Sequence, residues 1–185
     1  MKQQLRQHYR ALRRRHGAAL QAHVDALASD DLQRLLRQRP RPTASHVGLT
    51  VPMGSEADLR PWLVATGQPL ALPAATAAGL VYRPWSSTDP LEPDACGILA
   101  PLASVPALEP EQLALLLVPA LAIDGSGVRL GSGGGWYDRL RADPSWCAVA
   151  ALAVLPAACR CEQLPREPWD VPFDGWLDEQ GAHWI

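Results

Sequence analysis

Six consecutive apolar residues at 113–118 (LALLLV), closed by Pro119, constrain the fold more than any other stretch of this 185-residue chain. A strand that is apolar at every position has no face to give to water. It belongs in the middle of a sheet covered on both sides, and sheets of that kind are largely parallel with crossover helices on their faces. The apolar stretch runs on to Ile123, eleven residues in all, interrupted by Pro119. That is too short to span a bilayer, so no membrane partner is expected.

The rest of the chain supports the same class. Residues 2–15 read as a helix with Leu5, Tyr9 and Leu12 at i, i+4 and i+7. Gly17 is expected to break it. A second helix is expected over 19–39, ended by Pro40 and Pro42. Strands are expected at 46–51, 70–72, 80–83, 113–118, 147–155 and 173–177. Ser55, Glu56 and Asp58 read as a capping box that opens a helix through Ala65 and stops at Gly67. A short helix is expected at 159–164 and another from the Gly-rich segment to Arg141. Residues 74–110, apart from the strand at 80–83, read as loops. Strands alternating with helices predict an α/β layer fold with a largely parallel sheet. No internal repeat or long linker divides the chain, so a single domain over 1–185 is expected.

Charge narrows the partners. Lys and Arg total 17 against 19 acids, a net charge of −2, which gives no reason to expect nucleic acid. The basic residues crowd the N-terminal helix, but no apolar segment of a targeting peptide follows them. The four cysteines (Cys96, Cys147, Cys159, Cys161) form no CxxC pair and read as reduced thiols. A cytoplasmic protein is therefore expected.

Four groups of residues carry possible chemistry. The first is RLGSGGGWYD at 129–138, with glycines at 131, 133, 134 and 135. Glycines let consecutive N–H groups converge, and such a nest beside a helix start suits phosphate. A plain surface loop is the bland alternative. The segment is not a P-loop, because Gly-Lys-Ser/Thr is absent. It is not a dinucleotide fingerprint, because Trp136 stands where Gly is wanted. The second is Lys2, Arg6 and Arg10, one helix face of like charges that either faces solvent or meets an anion. Lys2 is the only lysine beside sixteen arginines. The third is Asp170 in the Pro-rich LPREPWDVP at 164–172, a turn residue or a ligand. Together with Asp138 it can hold Mg²⁺, which takes one or two carboxylates plus waters and phosphate oxygens. The fourth is Glu56, just after the first strand, either a favourable first-turn charge or a ligand at the mouth of the sheet. Trp136 and Tyr137 suit either stacking on a flat heterocycle or the core.

In chain order the pieces are Lys2-x-x-x-Arg6, PMGSE at 52–56, VPALAID at 118–124, RLGSGGGWYDR at 129–139 and LPxExWD at 164–170. Together they resemble the 5-formyltetrahydrofolate cyclo-ligase family, also called methenyltetrahydrofolate synthetase, over essentially the whole chain. The resemblance implies a three-layer α/β/α sandwich related to ribose-5-phosphate isomerases and CoA transferases. It implies ATP as co-substrate and Mg²⁺ as cofactor, used to convert 5-formyltetrahydrofolate into 5,10-methenyltetrahydrofolate. By that resemblance Lys2, Gln3, Gln4, Leu5 and Arg6 form one ATP-binding stretch. Arg129, Leu130, Gly131, Ser132, Gly133, Gly134, Gly135, Trp136 and Tyr137 form the other. Lys2, Arg6 and Arg129 are the implied catalytic cations. Val51 and Glu56 are implied to bind folate, together with Ser132, Gly133, Gly134, Gly135 and Trp136. Asp138 and Asp170 match the family's magnesium ligands. Ile123 stands in place of the usual Phe, Ser132 where Tyr, Arg or Met is common, Gly134 where some members carry Lys, and Trp136 in place of Tyr or Phe. A monomer is expected. The competing readings are a sugar-phosphate isomerase or CoA transferase of related fold, and a non-catalytic relative that binds folate or nucleotide.

Overall fold

The computed structural model describes residues 2–41 and 43–185, built around a seven-stranded sheet that encloses the 113–118 run. Before the sheet centre come α1 (Lys2–Asp25), α2 (Ser29–Gln38), β1 (His46–Gly48), α3 (Arg60–Ala65), β2 (Leu70–Thr76), β3 (Gly79–Trp85), β4 (Leu91–Pro93) and β5 (Leu99–Pro101). The central strand is β6 (Leu113–Pro119), followed by β7 (Ala122–Asp124), β8 (Arg129–Leu130), α4 (Trp136–Arg141) and α5 (Pro144–Cys147). The chain closes with β9 (Ala151–Val154), β10 (Arg160–Cys161), β11 (Gly175–Asp178) and β12 (Gly181–Trp184).

The order across the sheet is β12-β11-β9-β6-β1-β2-β3, with β6 in the middle. The inner five strands pair in parallel, and each edge is an antiparallel hairpin partner. The expected mixed α/β architecture with a mostly parallel sheet is therefore what forms. Strand alternation splits the core in two. Leu116 and Val118 face one side with Tyr82, Ala151 and Ala153. Leu115 and Leu117 face the other with Val47, Leu152 and Val154. The second side is covered by Leu20 and Val24 of α1, Leu32 and Leu35 of α2, and Trp62 and Leu63 of α3. The first is covered by Tyr9 of α1, Leu140 of α4, and a three-stranded sheet of order β10-β7-β8. Helix α1 thus serves both cores, one with each half.

Several local expectations fail for tertiary reasons. Gly17 does not break α1, which runs unbroken for 24 residues. A mid-helix glycine loses only about 1 kcal/mol against alanine, which the burial of Leu20 and Val24 beyond it outweighs. The second helix is only α2, ending ahead of Pro40; Pro42 lies outside the described residues. Ser55 and Glu56 form no capping box. They bind Arg13, and α3 starts later at Arg60, whose N–H is taken by Asp58. Strand β1 stops at Gly48, short of residue 51. Residues 74–110 hold the rest of β2, all of β3 and the β4–β5 hairpin, because edge pairing lends order to residues without clear periodicity. The expected strand at 147–155 begins only at Ala151, since Asp143 caps α5 through the Ser145 N–H. Residues 160–161 pair with β7 as a strand, so the helix expected at 159–164 does not form. The last strand is followed by one more, β12.

Candidate functional site

The Gly-rich loop between β8 and α4 is a shared wall between two hollows. On one side lies a largely apolar pocket of about 170 Å³, lined by Val51, Met53, Leu80, Ile98, Trp136 and Tyr137, with Glu56 as its buried carboxylate. On the other lies a wider polar cleft of about 630 Å³, lined by Lys2, Arg6, Arg129, Arg139, Asp138 and Asp170. Gly131, Gly133 and Gly135 border both. The loop can take this path because Gly133 and Gly135 have φ of 119° and 63°, left-handed values that side chains oppose. Gly135 sits immediately before α4 and turns the chain into that helix.

Helix α1 lays its cationic ladder along this loop. Arg6 Nε donates to the Gly131 carbonyl at 3.1 Å, and Arg10 donates to the Ser132 carbonyl at 3.3 Å. Lys2 Nζ reaches Asp170 Oδ2 at 2.9 Å and Glu167 at 3.9 Å. The like charges do not merely face solvent; each head meets an oxygen from a distant segment. The ladder continues to Arg13, one turn further. Arg13 donates to Glu56 Oε1 at 3.2 Å and to Ser55 Oγ at 3.2 Å, while the Met53 N–H holds Glu56 Oε2 at 3.0 Å. The side chains of that pair are only 10% and 6% exposed. Arg13 was not expected to matter. Its position three residues after Arg10, on the same helical face, was the available signal.

Of the three carboxylates that line the cleft, Asp138, Glu167 and Asp170, the two aspartates are each held by one oxygen. Arg129 donates to Asp138 Oδ1 at 2.9 Å and to the Val171 carbonyl at 3.3 Å, while its guanidinium lies 4.3 Å over the Phe173 ring. Asp170 Oδ2 takes both Lys2 and the Glu167 N–H, at 2.9 and 2.8 Å. Burial raises the Asp170 carboxyl, but the Glu167 N–H, the Lys2 ammonium and Arg129 outweigh it and hold it below the ordinary value. Asp138 Oδ2 and Asp170 Oδ1 accept no hydrogen bond among the described residues. No three metal-ligating side chains converge among the described residues. Two hard carboxylates with spare oxygens on one cleft still suit Mg²⁺, which completes its shell from waters and phosphate oxygens.

At the floor of the apolar pocket Tyr137 Oη meets Tyr82 Oη at 3.2 Å. Burial pushes the Tyr137 phenol up to about 12, against the opposing influence of Tyr82 and Arg129, and pushes Tyr82 well above its usual value. Both are neutral hydrogen-bonding groups at physiological pH. Trp136 lines the pocket and carries Arg139 4.7 Å over its ring. Of the residues expected to serve the site, Gln3 and Gln4 are exposed away from both hollows, and Leu5 packs into the core. Leu130 and Arg129 border the cleft, and Val51 and Ser132 the pocket. Asp94, Cys96, Ile98 and Leu99 of the β4–β5 hairpin form a pocket wall that the Pro- and Ala-rich sequence did not suggest. None of the five histidines borders either hollow.

The geometry defines a class: an α/β protein whose Gly-rich loop parts an apolar, carboxylate-bearing pocket from a cleft of cations and carboxylates. Residues 1–178 match the 5-formyltetrahydrofolate cyclo-ligase family, and the chain belongs to it. A Haemophilus influenzae protein named 5-formyltetrahydrofolate cyclo-ligase is 35% identical over 97 residues, 51% of each chain. A Mycolicibacterium smegmatis protein of the same name is 42% identical over 57 residues, 31% of this chain and 29% of its own. The aligned segments thus span about half of the first relative and less than a third of the second. The Aquifex aeolicus 5,10-methenyltetrahydrofolate synthetase structure superposes with a TM-score of 0.71 at 27% identity, covering 99% of this chain and 92% of that one. The Mycoplasma pneumoniae 5,10-methenyltetrahydrofolate synthetase shares the fold, with a TM-score of 0.67 at 18% identity over 96% and 98% of the two chains.

Proposed function

We propose that this chain converts 5-formyltetrahydrofolate and ATP into 5,10-methenyltetrahydrofolate, ADP and phosphate, with Mg²⁺ as cofactor. We read it as one domain over its 185 residues, acting as a monomer in the cytoplasm. The observation that carries the reading is the shared Gly-rich wall, with a flat-ligand pocket on one side and an anion-suited cleft on the other. Family membership supports the same substrates.

The formyl oxygen of an N-formyl group is a weak nucleophile, so catalysis rests on positioning and on charge stabilisation. The folate ring system lies among Val51, Leu80, Trp136 and Tyr137, with Glu56 fixing its polar edge. The triphosphate lies along the loop amides, and Lys2, Arg6 and Arg129 offset its charge. The formyl oxygen takes the γ-phosphoryl group across the loop and ADP leaves. The neighbouring folate nitrogen then attacks the activated carbon, a proton is lost, and phosphate departs. Asp138 and Asp170 would hold Mg²⁺, which supplies charge neutralisation at the phosphate oxygens when bound. No serine or cysteine nucleophile is required, and with no histidine at either hollow no general base is assigned.

The test is the ATP-dependent rise in methenyl-folate absorbance from 5-formyltetrahydrofolate. Absence of that rise with intact ligand binding would favour a non-catalytic folate or nucleotide binder instead.

A further inference from the structure

Trp169 is the one exposed tryptophan of seven, 67% accessible, while Trp62 and Trp85 are 5% and 8%. A lone exposed apolar residue needs no explanation in itself. Its place does. Trp169 borders the polar cleft beside Pro168, Ala142 and Arg139, with the Gly-rich loop forming another part of the lining. It stands at the tip of a turn that is locked twice. The Asp170 N–H donates to the Glu167 carbonyl at 3.0 Å, and the Glu167 N–H donates back to Asp170 Oδ2 at 2.8 Å. Pro168 occupies the second position of this turn, where its fixed φ is favourable, and Lys2 clamps the Asp170 carboxylate from α1. The indole is therefore presented on ordered backbone, and little further ordering is needed when a ring stacks on it.

We infer that Trp169 is the stacking platform for the nucleobase of the nucleotide, holding its heterocyclic end while the phosphates lie on the Gly-rich loop. The inference rests on the nucleotide reading proposed above. Two features argue for a flat ring and against a protein surface as the occupant. The other large exposed apolar side chains, Met53, Val64, Leu99 and Ile185, do not border this cleft, so Trp169 is its one large exposed apolar side chain. The remaining lining mixes glycines and small apolar residues with charged ones, and its cations Arg139, Lys2 and Arg6 suit the anionic end of the same molecule. Stacking of a base on an aromatic side chain is worth roughly 1–3 kcal/mol and tolerates any base, because every base has a π-face.

The test compares Mg-ADP with Mg-pyrophosphate by calorimetry on the full chain. Trp169→Ala is expected to weaken Mg-ADP about tenfold, which lies within the stacking range. Trp169→Phe should recover most of that loss, and Mg-pyrophosphate, which has no base, should bind all three proteins alike. An unchanged Mg-ADP affinity in Trp169→Ala overturns the inference. So does an equal loss for pyrophosphate, which would mean that Trp169 acts only by holding Asp170. Failure of the wild-type protein to bind Mg-ADP at all would sink the nucleotide reading itself, and this inference with it.

Discussion

The two sides of the Gly-rich loop are organised by opposite means. On the pocket side the carboxylate Glu56 is sealed: Arg13 and the Met53 N–H take its two oxygens, and the pair is almost wholly buried. On the cleft side Asp138 and Asp170 each keep an oxygen free, and their cations are partly open to solvent or stacked on a ring. Removing one partner of a buried pair strands a charge in a poor solvent, whereas partly exposed pairs contribute little to folding. The Arg13–Glu56 pair is thus part of what stabilises the fold, while the more open Lys2–Asp170 pair is free to exchange its internal partners for a ligand's; Arg129, only 6% exposed, stays fixed between the two cases.

That contrast is broken most directly at Arg13. Arg13→Ala is expected to lower folding stability by about 3–5 kcal/mol, the range for leaving one member of a buried pair unpaired. Denaturant unfolding reads this, and a loss no larger than that of Lys2→Ala would erase the distinction. The next largest effect is on turnover. Asp138→Asn and Asp170→Asn should reduce activity steeply at limiting Mg²⁺; Asp170→Asn should leave the unfolding midpoint nearly unchanged, whereas Asp138→Asn should also lower it, because Arg129 is only 6% exposed and loses its charge partner. Near-normal rates under those conditions would remove both residues from the metal site. Glu56→Gln keeps the shape of the sealed carboxylate and should weaken folate binding while ATP binding stays close to normal; calorimetry with each ligand separates the two. Lys2→Ala should raise the KM for ATP about tenfold, near 1.4 kcal/mol, with partial recovery in Lys2→Arg and little change in unliganded melting.

The smallest effects concern pH, and they too fall on opposite sides. Tyr137, pushed up to about 12 by burial, stays neutral in the fold while an unfolded phenol ionises near 10. Its contribution is whole below pH 10 and is lost as pH rises toward 12. Asp170, held low, contributes above the unfolded carboxyl value of about 3.8 and loses that contribution as pH falls through its folded value. Stability measured against pH should therefore fall less steeply in alkali for Tyr137→Phe, and less steeply in acid for Asp170→Asn. If either variant matched the wild type on its own limb, that group would not be the source.

Part of this architecture was legible in the chain itself. The unbroken run at 113–118 could only be a central strand, and it sits in the middle of the sheet. The glycines of 129–138 announced a loop of unusual backbone, and Gly133 and Gly135 do take left-handed angles. The Lys2, Arg6, Arg10 spacing announced a face, because one residue every turn is a local property of any helix. The sequence did not reveal which partners that face meets. Arg13 finds Glu56 across 43 residues, and Lys2 finds Asp170 across 168. Nor did it reveal that residues 91–101 would become a pocket wall, since short edge hairpins draw their order from neighbours rather than from their own pattern. Gly127 makes the same point. The carbonyl of Phe173, which a Cβ at Gly127 would overrun, cannot be read from the residues around it. Periodicity and backbone freedom are properties of neighbouring residues and determine which elements form. Pairing between distant charges depends on where the folded chain brings them, and that was decided by tertiary structure alone.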